Sequence, residues 1–192
     1  MAVIERIYKQ PQRAYLFDKV IQDLQDALGG IGWLSHIFGR AERLVKRVEG
    51  RNYYTPNVYL GKDEYYSLLP DNRALGNYAF FVMDEPQMVS PYANRQKRVK
   101  SAFSLIVWVD MRTLGESNDD RNTEKIKDTL LKAVSTAWLK HGEVNVSRTY
   151  ERAENVFAGF SLDEIDNQFL MSPYAGFRLQ GEILAIEECS NQ

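Results

Sequence analysis

The sequence predicts an α+β fold: a mostly antiparallel sheet with two main helices packed on one of its faces. Three observations carry this reading. Segments 99–110 and 177–188 alternate apolar and polar residues with the period of a strand, segments 11–28 and 123–140 carry apolar stripes with the period of a helix, and strand-like pieces outnumber helical ones. At 192 residues the chain is long enough for one full core and has no low-complexity linker, so 1–192 is read as a single domain.

In chain order, Pro11 followed by Phe17, Val20, Ile21, Leu24, Ala27 and Leu28 marks a helix over 11–28 that stops at Gly29-Gly30. Strand-like pieces follow at 42–49, 53–60, 64–69 and 77–83, separated by Asn, Asp, Gly and Pro clusters. Residues 84–98 read as a long polar loop, because Pro86 and Pro91 interrupt any ladder. The pleat of the next strand places Val99, Phe103, Leu105, Val107 and Val109 on one face, and Lys100, Ala102, Ser104, Ile106 and Trp108 on the other. Ile126, Leu130, Ala133, Val134, Ala137 and Trp138 form the stripe of a second helix over 123–140, with Trp138 in its core-facing set. Strands are predicted at 143–150 and 154–160. Ser161 and Glu164 have capping-box spacing, which predicts a short helical turn before the last strand.

Composition narrows the function classes. Twenty-four basic and 26 acidic residues give a net charge of −2, which supplies no overall field for gathering nucleic acid, and no specific nucleic-acid partner is expected. No apolar run reaches the length of a signal peptide or a bilayer span, so no membrane association is expected. Cys189 is the single cysteine, which excludes an intrachain disulfide and a cysteine-rich zinc site.

No constellation of residues in the sequence points to catalysis. His36 and His141 lie on separate segments; His141 reads as a cation at a helix C-terminus and His36 as a packed or surface residue. Gly29-Gly30-Ile31-Gly32 closes a helix, whereas a phosphate-binding glycine loop opens one. Acidic groups at Asp119-Asp120 and at Asp163, Glu164 and Asp166 fit predicted helix starts. The reading is therefore no enzyme, no cofactor and no metal.

One feature has a partner written into it. Arg95, Lys97, Arg98 and Lys100 form a basic cluster at the end of loop 84–98, suited to an acidic protein surface or a phosphate backbone, or else to a solvated cover for the strand. Tyr53, Tyr54, Tyr59, Tyr65 and Tyr66 offer a second possibility, a tyrosine-rich sheet face that binds carbohydrate or peptide.

Met88-Val89-Ser90-Pro91-Tyr92-Ala93-Asn94 and Met171-Ser172-Pro173-Tyr174-Ala175-Gly176 echo each other, and each leads into a long strand. This order of elements, with Pro173-Tyr174-Ala175-Gly176-Phe177-Arg178 before the last strand, resembles the tail-terminator and tail-completion (neck) proteins of long-tailed phages and prophages. The resemblance implies a non-enzymatic virion protein, assembled in the host cytoplasm. It would form a homo-oligomeric ring, commonly a hexamer, and meet other tail or head-connector proteins. The strand-rich composition independently leaves sheet edges and one sheet face to be covered by a partner.

Overall fold

A computed structural model describes residues 14–61, 64–71, 76–93, 96–114 and 123–188. It is an α+β architecture built on one large, mostly antiparallel sheet. Helix α1 (Phe17–Leu28) leads through a turn into β1 (His36–Arg40), and a small antiparallel sheet follows, formed by β2 (Glu42–Val48), β3 (Arg51–Gly61) and β4 (Glu64–Ser67). The chain continues through β5 (Tyr78–Met83), β6 (Met88–Ala93), β7 (Gln96–Asp110), α2 (Thr123–Ser135), β8 (Gly142–Tyr150), the single turn α3 (Ala153–Val156) and β9 (Tyr174–Glu188). Across the large sheet the order is β1, β5, β7, β9, β8, with β1 and β5 parallel and β6 paired to the first part of β7.

The pleat of β7 decides what lies on each face. Val99, Phe103, Leu105, Val107 and Val109 point into a core shared with Phe177, Leu179 and Ile183 of β9, and both α1 and α2 close over it as expected. Val20, Ile21 and Leu24 come from α1, and Ile126, Leu130 and Val134 from α2. Tyr78, Phe80, Ile106 and Trp108 point the opposite way, into a second core with Phe38, Val58, Leu68, Phe157 and Phe169. The second face is therefore not left bare: the small sheet and the segment around α3 cover the half of it that carries Trp108. Elsewhere on that face Arg98 and Ala102 of β7 and Glu182 of β9 remain exposed.

Several expectations are corrected. Residues 88–93 are a strand inside the segment read as a loop, because β7 continues as far back as Gln96 and offers a partner: Met88 pairs with Lys100, Val89 with Val99 and Ser90 with Arg98. Segment 154–160, read as a strand, is α3 and a turn that sets Val156 and Phe157 over the second core. Helix α2 ends at Ser135, and the chain beyond it is no longer helical. Ala137 and Leu139 still pack on the first core, but Trp138 between them is 85% exposed. The predicted turn after Ser161 does form, over Leu162–Glu164, yet the Ser161 hydroxyl does not cap it and accepts the backbone N–H of Tyr54 instead.

Strands β2 and β3 make a ribbon closed by Glu49-Gly50, both at positive φ (48° and 79°), the conformation of the two-residue turn that matches strand twist. Glycine fits the second position without a Cβ penalty. From Val45 to Asn52 every residue of this ribbon is exposed, whichever face of the pleat it occupies.

Candidate functional site

At the end of the large sheet opposite Trp108, β7 runs past the end of β5 and gains β6 as its neighbour, while the last residues of β9 pair along its other side. The predicted basic cluster falls here. Arg95 lies outside the described residues, and alternation divides the other three between the two faces of the sheet. Lys97 is on the helix face, its Nζ 5.8 Å from the centre of the Tyr15 ring, and the Tyr15 hydroxyl donates to the Glu187 carboxylate. Arg98 and Lys100 are on the opposite face, where the Lys100 Nζ lies 2.7 Å from a carboxylate oxygen of Glu182. Both partners of that pair are half exposed, so it adds at most about 1 kcal/mol to stability.

Apolar side chains surround these charges. Met88 and Val89 of β6 are 57% and 64% exposed, and Tyr15 is 52% exposed. Trp138 belongs to the same end of the molecule, because the Ile186 amide of β9 donates to the carbonyl of His141, three residues further on. At this rim Val89, paired with Val99, shares the helix face with Lys97 and Tyr15, Met88, paired with Lys100, shares the opposite face with Arg98 and Lys100, and Trp138 lies just before the start of β8. Sequence reasoning missed all four apolar members. The alternation that marks a strand reports which residues share a face, and cannot report that nothing covers that face.

The two histidines sit on opposite edges of the large sheet. On β1, His36 is buried against Phe38 with ring centres 5.9 Å apart; its Nδ1 has no hydrogen-bond partner and burial lowers its pKa. His141, six residues beyond the end of α2, is not the helix-terminal cation expected: its Nδ1 lies 3.1 Å from Asp23 Oδ2, which also accepts the backbone N–H groups of Lys140 and His141. Asp23 thereby ties α1 to the start of β8.

Two hollows open on the second face. One of about 120 Å³ is lined by Trp108, Tyr174, Phe169 and Glu151, and one of about 280 Å³ by Arg40, Arg43, Asp84 and Ala158. A histidine lines neither. Beside the second hollow, Arg178 is buried, donating from Nε to Ser104 Oγ at 2.9 Å and from Nη1 to the Ala158 carbonyl at 3.0 Å, with burial lowering its pKa. It braces the 158–160 turn against the sheet. Among the described residues, no three His, Cys, Asp or Glu side chains are grouped to hold a metal ion, and no helix is long and apolar enough to cross a membrane.

The tyrosines do not form one platform. Tyr53 and Tyr54 are half-buried, with the Arg43 guanidinium 3.9 Å from the Tyr54 ring centre, and Tyr66 stacks on Phe38. Tyr59 and Tyr65 form a cross-strand pair with ring centres 5.2 Å apart, each 47% exposed. No protein-family model matches the chain, and comparison with curated proteins finds no match.

Proposed function

We propose that this protein is a non-enzymatic assembly subunit that works through its surfaces, of the kind that forms a ring in a phage tail terminator or neck. The observation that carries the reading is the rim at the β6–β7 end, where Trp138, Val89, Met88 and Tyr15 stand exposed beside Lys97, Arg98 and Lys100. Exposed apolar groups among cations are costly in a chain that works alone and favourable in one that buries them against a partner. His36 and His141 on opposite sheet edges give no shared acid–base pair, which favours the same reading. The ring, its tail or connector partners and the virion location come from the resemblance in element order.

The test is self-association. Sedimentation velocity over a hundredfold concentration range should show one defined oligomer, and Lys97→Glu with Arg98→Glu should weaken it at low salt and abolish or invert its weakening by added salt. A monomer at every concentration, unchanged when tail-tube or connector protein is added, would overturn the reading. The exposed Tyr59–Tyr65 pair favours a second reading, a stacking surface for carbohydrate or peptide. Saturable binding on a glycan or peptide array, lost in Tyr59→Ala, would select it.

A further inference from the structure

We propose that β8 is an assembly edge, which pairs antiparallel with β8 of a second copy of this chain about a two-fold axis at Asn145. The inference goes beyond the assembly reading above, which concerns the rim, and adds a contact of different symmetry. Strand β8 ends the large sheet and pairs only with β9. Among the described residues, no backbone hydrogen bond reaches its outer side. The opposite end of the sheet is closed. There the His36 backbone N–H of β1 donates to the Asn77 carbonyl, so the Ile37 carbonyl faces outward, and the Gln25 side-chain amide of α1 donates to it at 3.0 Å. Nine residues of unpaired edge without a proline are a template for another strand.

The side chains of β8 suit a copy of themselves. Glu143 and Asn145 pair with Leu184 and Glu182 of β9 and share one face, while Val144 and Val146 share the other, where they pack on the first core. Positions 143 and 148 would fall on opposite faces of a regular strand. The register shift between Val146 and Arg148 inserts one residue, and Arg148, opposite Gln180, joins Glu143 and Asn145 on their face. All three are exposed, and neither Glu143 nor Arg148 forms an ion pair among the described residues. Laid antiparallel on a second β8 with Asn145 against Asn145, the strand sets Glu143 against Arg148 on each side of the axis, and Val144 against Val146. The backbone agrees with this register. The Ile186 amide donates to the His141 carbonyl, so alternation along β8 turns the N–H and C=O groups of Val144 and Val146 outward, and these are the groups the register pairs. The contact is isologous, as a two-fold pair requires. A strand of other sequence would gain the backbone bonds without the matched charges, which favours the second copy.

The experiment compares wild type, Glu143→Arg, Arg148→Glu, the double variant and an equimolar mixture of the two single variants, by sedimentation velocity. Each single variant sets like charges against each other on both sides of the axis, and should self-associate about tenfold more weakly with an unchanged far-UV circular dichroism spectrum. The double variant exchanges the charges and the mixture supplies opposite ones, so both should recover association. A covalent readout locates the axis. In a Cys189→Ser background, Asn145→Cys should form an intermolecular disulfide on mild oxidation, because directly opposed residues of an antiparallel pair lie within disulfide reach, and Thr149→Cys should not. If wild type is oligomeric, the single variants keep its mass and Asn145→Cys stays unlinked, the edge proposal is overturned, and Lys97→Glu with Arg98→Glu still decides the rim. If wild type is a monomer throughout, both fall. A loss in the single variants that neither the double variant nor the mixture recovers would show that Glu143 and Arg148 do not face each other, and would also overturn the proposal.

Discussion

The two faces of the large sheet are covered differently. On the helix face, α1 and α2 lay aliphatic side chains over Leu105, Val107 and Leu179 until nothing there reaches water. Opposite, the cover consists of a small sheet and short turns, six of the thirteen buried apolar groups are aromatic, and polar groups are pinned inside: Arg178 on Ser104 and Ala158, and the Trp108 Nε1–H on the Phe169 carbonyl at 3.2 Å. Helices satisfy their own backbone, so they can close a face with side chains alone. Turns cannot, and a cover made of turns must be hydrogen-bonded into place. The first face therefore supplies stability, while the second holds loops and a ribbon in position and leaves part of the sheet available for contact.

The largest expected effect tests whether the faces unfold together. Trp108→Ala should cost about 3–5 kcal/mol and Leu130→Ala about 2–5 kcal/mol in urea melts, each with a single transition. Two separated transitions in either variant would make the faces independent. Arg178→Met should cost less, about 1–3 kcal/mol, because it leaves the Ala158 carbonyl without its donor. Amide exchange should then accelerate at 158–160 while α1 and α2 stay protected. Uniform acceleration would mean that Arg178 supports the sheet and not the turn.

How much of this was legible depends on what a side-chain pattern records. The faces of β7 and β9 were readable because both strands are buried along one side for most of their length. Trp138 was misassigned for a definite reason: 138 lies four residues after 134, which continues the helical stripe, but the helix stops at Ser135 and the extended tail turns every second side chain outward. Strand β6 carries Pro91 and little apolar periodicity; its strand character comes from the neighbour, through the pairing of Val89 with Val99. The rim was half legible, since charge is visible in a sequence and exposure is not.

A smaller effect concerns acid. Burial holds the His36 pKa below its ordinary value of 6.5, so the unfolded chain binds the proton more readily than the folded one. Stability is then complete above about pH 6.5 and declines as the pH falls toward the lowered value. His36→Phe should flatten that part of the profile, measured as the urea midpoint between pH 7.5 and 5.5; an identical slope in both proteins would assign the acid sensitivity to other groups. The smallest effect on folding belongs to Trp138→Ala, below about 1 kcal/mol for a side chain that is 85% exposed. The same change should weaken self-association measurably. A large loss of stability would place the indole in the core after all, and unchanged association would remove it from the rim.

The pairing of β9 has a consequence for the order of events during synthesis. This strand lies between β7 and β8, joined to β7 along fifteen residues from Asp110–Tyr174 to Gln96–Glu188. Strand β8 is therefore made before the strand that connects it to the rest of the sheet exists. The nascent chain must carry β7 with one side unpaired until residues near 188 leave the ribosome, and closing contacts over such separations is slow. Strand β5 pairs along the opposite side of β7 and leaves that edge open, so pulse-labelled nascent chains truncated at about residue 170 should be protease-sensitive where the finished protein is not.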